Sequence, residues 1–224
     1  MRFPALFINF KTYEQATGAK ALELAKIAES VAQQESRQIV LVVQPADIRM
    51  VANSVSLPVF AQHIDPVTYG AHTGAILPEA VKQAGASGTI LNHAENKRDN
   101  DFLKKAMVRA KECGLTVMAC AESLERARQI ASFASKPDII AIEPPELVGT
   151  GIAVSKAKPE LITSIVEEIS KIADIPIIAG AGIKDASDVK KALELGCKGV
   201  FVASAIVKAQ DKEKAILNLL SGFE

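Results

Sequence analysis

Ile139-Ile140-Ala141-Ile142-Glu143-Pro144-Pro145-Glu146-Leu147-Val148-Gly149-Thr150-Gly151 is the stretch from which the rest of the chain is read. Its first four residues form an apolar run short enough for a buried strand, and the run ends abruptly in a carboxylate. A charge at the end of a core strand is expensive to desolvate unless something uses it. Pro144-Pro145 then stops the strand by removing two backbone donors. Beyond them, Gly149-Thr150-Gly151 gives the chain conformational freedom and brings bare amides to the surface. A rigid carboxylate beside a hinged, amide-rich segment is how a general base next to a phosphate-gripping lid is built. An ordinary strand-to-helix loop carrying a surface Glu has the same local pattern, so the surroundings must decide.

Working outward, the same alternation of short apolar run and helical stretch recurs along the chain. Strands are expected near Ala5 to Asn9, Ile39 to Val43, Val59 to Ala61, Gly88 to Asn92, Thr116 to Ala119, Ile139 to Ile142, Pro176 to Ala179 and Val200 to Ala203. Helices are expected over Ala19 to Gln34, Pro45 to Val55, Pro78 to Ala84, Asp101 to Cys113, Leu124 to Ala134, Pro159 to Ile172, Ser187 to Leu195 and Lys212 to Leu220. Gly114 and Gly196 fall where helices end cheaply on positive φ, and Pro159 sits where a missing N–H costs nothing. Eight repeats in 224 residues leave about 28 per unit, near the minimum for a strand, two loops and a helix. A doubly wound open sheet competes, but eight units with polar residues at several strand ends favour an α/β fold of the closed (β/α)8 TIM barrel type. No linker or shift of composition divides the chain, so residues 1–224 read as a single barrel domain.

Composition narrows the function. Lys plus Arg and Asp plus Glu both number 26, a balance that argues against a nucleic-acid partner or a membrane surface. Attraction for an anion must therefore be local. Cys113, Cys120 and Cys197 are odd in number and match neither a disulfide framework nor a zinc pattern. The opening residues turn polar too soon for a secretory signal, and no apolar run approaches the roughly 18 residues of a membrane helix. A reduced, cytoplasmic setting is the expectation, with no metal.

The strand ends carry the chemistry. In Ile8-Asn9-Phe10-Lys11, period-two alternation sends Asn9 and Lys11 to one side, placing a cation at the top of a barrel. In Ile90-Leu91-Asn92-His93-Ala94-Glu95, His93 falls at the entrance to a turn or helix, where free amides favour the neutral imidazole. Gly180-Ala181-Gly182 and Ala203-Ser204-Ala205 follow the last two strands as rows of small residues that leave amides uncovered. Loops after those strands commonly hold phosphate in such barrels. The spacing is not that of a dinucleotide fingerprint. His63 and His72, without matched partners, read as structural, and Cys120 as a core or near-site thiol without a paired base.

Taken in order, Asn9-x-Lys11, His93-x-Glu95, Glu143-Pro144, Gly149-Thr150-Gly151 and the two small-residue loops resemble the triosephosphate isomerase family, in its short archaeal-type branch, over essentially the whole chain. The resemblance implies interconversion of glyceraldehyde 3-phosphate and dihydroxyacetone phosphate without a cofactor. It implies Glu143 as base, His93 as electrophile and Lys11 as electrostatic partner. Asn9 would line the site and Glu95 would pair with the lysine. Gly149, Gly182, Ala203 and Ser204 would hold the phosphate. Thr73 would lie on a loop reaching a neighbouring subunit, implying a homo-oligomer, dimer or tetramer, with the tetramer favoured in the short branch. The sequence departs from the family pattern at Ala94, Glu146 and Ile152, where a serine, a tryptophan and a lysine are usual. Another phosphate-binding barrel enzyme and a non-catalytic barrel are the competing readings; neither has a general need for Lys11, His93 and Glu143 together.

Overall fold

In the computed structural model, which describes residues 1–223, eight parallel strands close into a barrel in sequence order. They are β1 (Ala5–Asn9), β2 (Gln38–Val43), β3 (Val59–Ala61), β4 (Gly88–Leu91), β5 (Thr116–Ala121), β6 (Ile139–Ile142), β7 (Ile177–Gly180) and β8 (Gly199–Val202). Closure is made by β1 against β8, with Ala5 opposite Gly199 and Ile8 opposite Val202. The open-sheet alternative is thereby excluded.

Every strand is buried on both faces, which is why each reads as a continuous apolar run. The two faces serve different layers. Leu6 and Ile8 of β1 point outward into the large cluster shared with the helices, while Ala5 and Phe7 belong to a separate inner cluster. That inner cluster has twelve side chains, including Val42, Phe60, Ile90, Met118, Cys120, Ala141, Ile178 and Phe201, so the barrel is plugged rather than hollow. The alternation carries a consequence upward. Asn9 follows Ala5 and Phe7 at the inward parity of β1, and Glu143 follows Ile139 and Ala141 at the inward parity of β6, so both emerge at the carboxyl mouth.

The helices that enclose the barrel are α1 (Ala19–Gln34), α2 (Ile48–Ala52), α3 (Pro78–Gln83), α4 (Asn100–Glu112), α5 (Leu124–Ala131), α6 (Val154–Ala157), α7 (Pro159–Ile172), α8 (Ala186–Glu194), α9 (Ser204–Val207) and α10 (Lys212–Leu220). Helix α1 buries Ala21, Leu24, Ala25, Ala28, Val31 and Ala32, a stripe at helical spacing. Asp99, Ser123, Asp185 and Asp211 cap α4, α5, α8 and α10 through their side chains.

Two expected helices are markedly shorter. The helix expected over Pro45 to Val55 spans only Ile48–Ala52, because Gln44 to Asp47 form a turn whose Asp47 carboxylate accepts the Gly18 amide at 3.2 Å. Helix α5 stops at Ala131, where the Ser132 hydroxyl takes the Arg128 carbonyl at 2.7 Å. The short α6 and α9, one turn each, lie where the sequence pattern predicts no helix.

Candidate active site

Four strand ends bring the chemistry together. Beyond β4, His93 is 6% exposed, and its two ring nitrogens have distinct partners. The Glu95 amide donates to Nδ1 at 3.1 Å, so Nδ1 is an acceptor and the ring proton resides on Nε2. That Nε2 lies 3.3 Å from Glu143 Oε1. Asn9 Nδ2 lies 3.5 Å from the same nitrogen, but Asn9 Oδ1 is committed to the Lys11 amide at 3.0 Å, so this is a packing contact between two donors. The ring also stands edge-on to Phe201, centroids 6.0 Å apart.

Glu143 is 5% exposed, and its Oε2 is buried without a hydrogen-bond partner. Leaving a carboxylate oxygen so is costly for folding, and it keeps that oxygen uncommitted to any other group of the chain. A Cβ at Gly180 would lie 2.6 Å from Glu143 Cγ, so only glycine there lets the carboxylate lie where it does. Beneath it, burial pushes the Cys120 thiol well above its ordinary range, and the Glu143 carboxylate adds to the effect. Cys120 therefore remains a thiol, not a nucleophile.

Lys11 reaches the mouth by a route different from the expected one. The strand ends at Asn9, and Lys11 itself adopts positive φ (48°), a conformation uncommon outside glycine. Gln62 holds it there by donating to the Lys11 carbonyl at 2.9 Å. The ammonium, with its side chain 11% exposed, pairs with Glu95 Oε1 at 2.6 Å. Glu95 thus serves both neighbours, its amide on His93 and its carboxylate on Lys11. Asn92, also at positive φ (60°), donates to the Cys120 carbonyl at 2.9 Å and accepts the Arg98 amide, which fixes the turn carrying His93.

A cavity of about 230 Å³ opens beside these groups, lined by Asn9, Lys11, Glu143, Gly149, Gly182, Ala203 and Ser204 among others. A second cleft of about 490 Å³ shares the Asn9 and Lys11 wall and is lined by Gln62, His63, Gly74, His93, Glu95 and Arg98. Over the cavity runs the segment 147–152. Gly149 and Gly151 both adopt positive φ, and the Thr150 hydroxyl bridges the Leu147 carbonyl and the Ile152 amide. A Cβ at Gly182 would overlap the Ile152 carbonyl, so this segment and the loop after β7 are in direct backbone contact.

Of the residues singled out from sequence, Thr73 stands apart: it is exposed on the loop between β3 and α3 and does not line the chain's own cavity. Sequence reading missed Gln62 and Asn92, and took Gly180 only as part of a small-residue loop, not as the residue that makes room for Glu143. It also missed Tyr13, Lys184 and Lys208, which line the cavity, Lys208 Nζ lying 4.3 Å over the Tyr13 ring. Nothing in local patterning separates those lysines from solvated ones. Gly180 did carry a signal, as a glycine ending an apolar strand. Among the described residues, no group of three or more His, Cys, Asp or Glu is placed to hold a metal ion.

A buried carboxylate, an imidazole and an ammonium gathered at the carboxyl mouth are the kinds of group used by acid–base enzymes built on (β/α)8 barrels. Within that class the relationships are specific: a family model described as triosephosphate isomerase matches residues 4–220. The chain is 46% identical over 222 residues to the triosephosphate isomerase of Metallosphaera sedula, covering 99% of this chain and 96% of that one. It is 46% identical over 221 residues to that of Saccharolobus solfataricus, with the same coverage, 99% and 96%. To that of Methanobacterium bryantii it is 44% identical over 219 residues, covering 97% and 96%. The chain belongs to the triosephosphate isomerase family. Its fold superposes on the crystal structure of triosephosphate isomerase from Bartonella henselae with a TM-score of 0.77, at 19% identity and 99% coverage of both chains.

Proposed function

We propose that this chain interconverts D-glyceraldehyde 3-phosphate and dihydroxyacetone phosphate by proton transfer through an enediolate, a step of glycolysis and gluconeogenesis. The observation that carries the reading is the 3.3 Å separation of His93 Nε2 and Glu143 Oε1, with Lys11 and a small-residue cavity beside them.

Isomerisation requires removal of a proton from the carbon next to a carbonyl. Glu143, with an unpartnered oxygen, is the base. His93 donates Nε2–H to the substrate oxygens, and the Glu95 amide on Nδ1 stabilises the charge that the ring gains when it lends that proton. Lys11 offsets the negative charge that develops on the enediolate. Because Glu143 and His93 touch, the substrate must part them on entry, and the two then face its reacting carbons with donor and base already aimed. The phosphate occupies the cavity lined by Gly149, Gly182, Ala203 and Ser204, mostly against backbone. Closure of the segment 147–152 excludes water and opposes loss of phosphate from the intermediate. No cofactor enters this scheme.

The same reading makes the chain a cytoplasmic homo-oligomer, a dimer or a tetramer, with the tetramer favoured by the resemblance to the short-chain branch. Exposed Thr73 and the cleft beside Lys11 suit a loop of one subunit filling the cleft of the next. Among the described residues no helix is long and apolar enough to cross a membrane. The decisive experiment is a coupled assay in both directions with the two triose phosphates, with and without a phosphorylated enediolate mimic. Turnover that the mimic suppresses at low concentration is expected; absence of turnover with both substrates rejects the reading.

A further inference from the structure

The lid segment runs directly into α6, and α6 is tied to the far side of the phosphate cavity. The Val154 amide donates to the Ala181 carbonyl at 3.2 Å. The fully buried Ser155 hydroxyl donates to the Asp188 carbonyl at 3.1 Å. Lys156 Nζ lies 2.6 Å from Asp188 Oδ1, an ion pair without hydrogen-bond alignment, while donating to Ser187 Oγ at 2.8 Å. Asp188 is 1% exposed, and its second oxygen accepts the Lys184 amide at 3.0 Å.

One carboxylate therefore holds two arms of the phosphate grip. Through Oδ1 it holds the trailing end of the lid; through Oδ2 it holds the loop 181–184, whose residues line the cavity. Helix capping does not account for this arrangement. The cap of α8 is Asp185, which accepts the Asp188 amide at 3.0 Å; the return bond of a capping box would go to the Asp185 amide, whereas Asp188 Oδ2 takes the Lys184 amide and Oδ1 faces Lys156. Nor is stability a sufficient reason, since only the aspartate is buried, and a pair whose lysine is half-exposed and screened by solvent contributes little. What it supplies is a fixed relation between two segments.

We propose that Asp188 is a positioning residue for lid closure: it couples the base of the lid to the loop after β7, so that both arms meet the phosphate together and the reactive intermediate is retained. The proposal rests on the isomerase reading. In an enediolate phosphate that is not retained, the C3–O bond breaks and its electron pair leaves with inorganic phosphate. The remaining enol then takes a proton on carbon to become methylglyoxal, with no net oxidation or reduction.

The test measures, for wild type, Asp188→Asn and Lys156→Met, the share of turnovers that release inorganic phosphate instead of isomerised product, together with kcat and thermal melting. Asp188→Asn keeps an acceptor for the Lys184 amide and removes the charge that holds Lys156. Lys156, with its side chain 48% exposed, can be replaced without touching the core, which keeps the test open if Asp188→Asn folds poorly. Both variants are expected to raise the phosphate-releasing share about 10-fold or more, as a lid that closes less completely would. A share unchanged in folded Lys156→Met, or activity that falls only in step with melting, overturns the proposal. A wild type that isomerises neither triose phosphate would instead overturn the functional reading beneath it.

Discussion

The Cβ that Gly180 lacks would lie 2.6 Å from Cγ of Glu143 and 3.2 Å from its Oε1. Gly180 is outside the positive-φ region, so an alanine there meets no backbone strain, only the carboxylate. Gly180→Ala should push the base off its line, lowering kcat roughly 10- to 100-fold while the fold melts near its wild-type temperature. Steady-state kinetics beside a circular-dichroism melt check this; an unaltered kcat would show that the carboxylate position is not fixed by β7.

Shortening the base tests its identity. Glu143→Asp withdraws the carboxylate by about one methylene, roughly 1 Å, and should cost on the order of 100-fold in kcat. Turnover at the wild-type rate would assign the base elsewhere.

The Lys11 side chain stands on the wall shared by the cavity and the cleft. Lys11→Met keeps much of the stem and should raise KM and lower kcat together. Kinetics in low salt are the measurement, because screening there is weakest. Identical parameters would remove Lys11 from the mechanism.

Gln62 does not line the cavity beside Glu143, yet it holds the Lys11 carbonyl while that residue occupies positive φ. Gln62→Met should relax the backbone and misplace the ammonium, lowering kcat/KM by about 10-fold without unfolding the chain. Kinetics of this variant in the Lys11→Met background settle the point, since the two losses should not add if Gln62 acts through Lys11.

His63 couples stability to acid. Burial lowers its pKa below the ordinary 6.5, and nearby Asp65, which favours the charged form, only partly opposes this. The unfolded chain therefore takes up a proton more readily than the folded one as pH falls through about 6.5. Stability from this group is complete above that value and declines below it, down to the folded pKa. Urea unfolding at pH 7.5 and 5.5 should show a smaller acid loss in His63→Asn than in wild type, and equal losses would acquit His63.

How much of this was legible in the sequence varied with the source of each feature. Strands β1, β3 and β6 and helices α1, α7 and α10 have the expected ends, because runs buried on both faces and stripes at helical spacing are written in residue type. Helices α6 and α9, one turn each, have too few residues to show a period. Lys11 illustrates the deeper limit. Alternation placed it beside Asn9, and it does lie there, but by way of a left-handed residue held by Gln62, a partner 51 positions away. Side-chain parity is local information; the hydrogen bond that overrides it is tertiary. The same holds for Lys184 and Lys208, which join the cavity only because β7 and β8 close the barrel beside β1.

Phe201 belongs both to the plug that fills the barrel and to the wall against which the His93 ring stands. Imidazole and filling are thus one continuous solid, and looseness in the filling is felt at the His93 ring before any strand separates. On warming, turnover should fade ahead of the cooperative melt, and substitutions that tighten the plug should extend the working range of the enzyme by more than they raise its melting point.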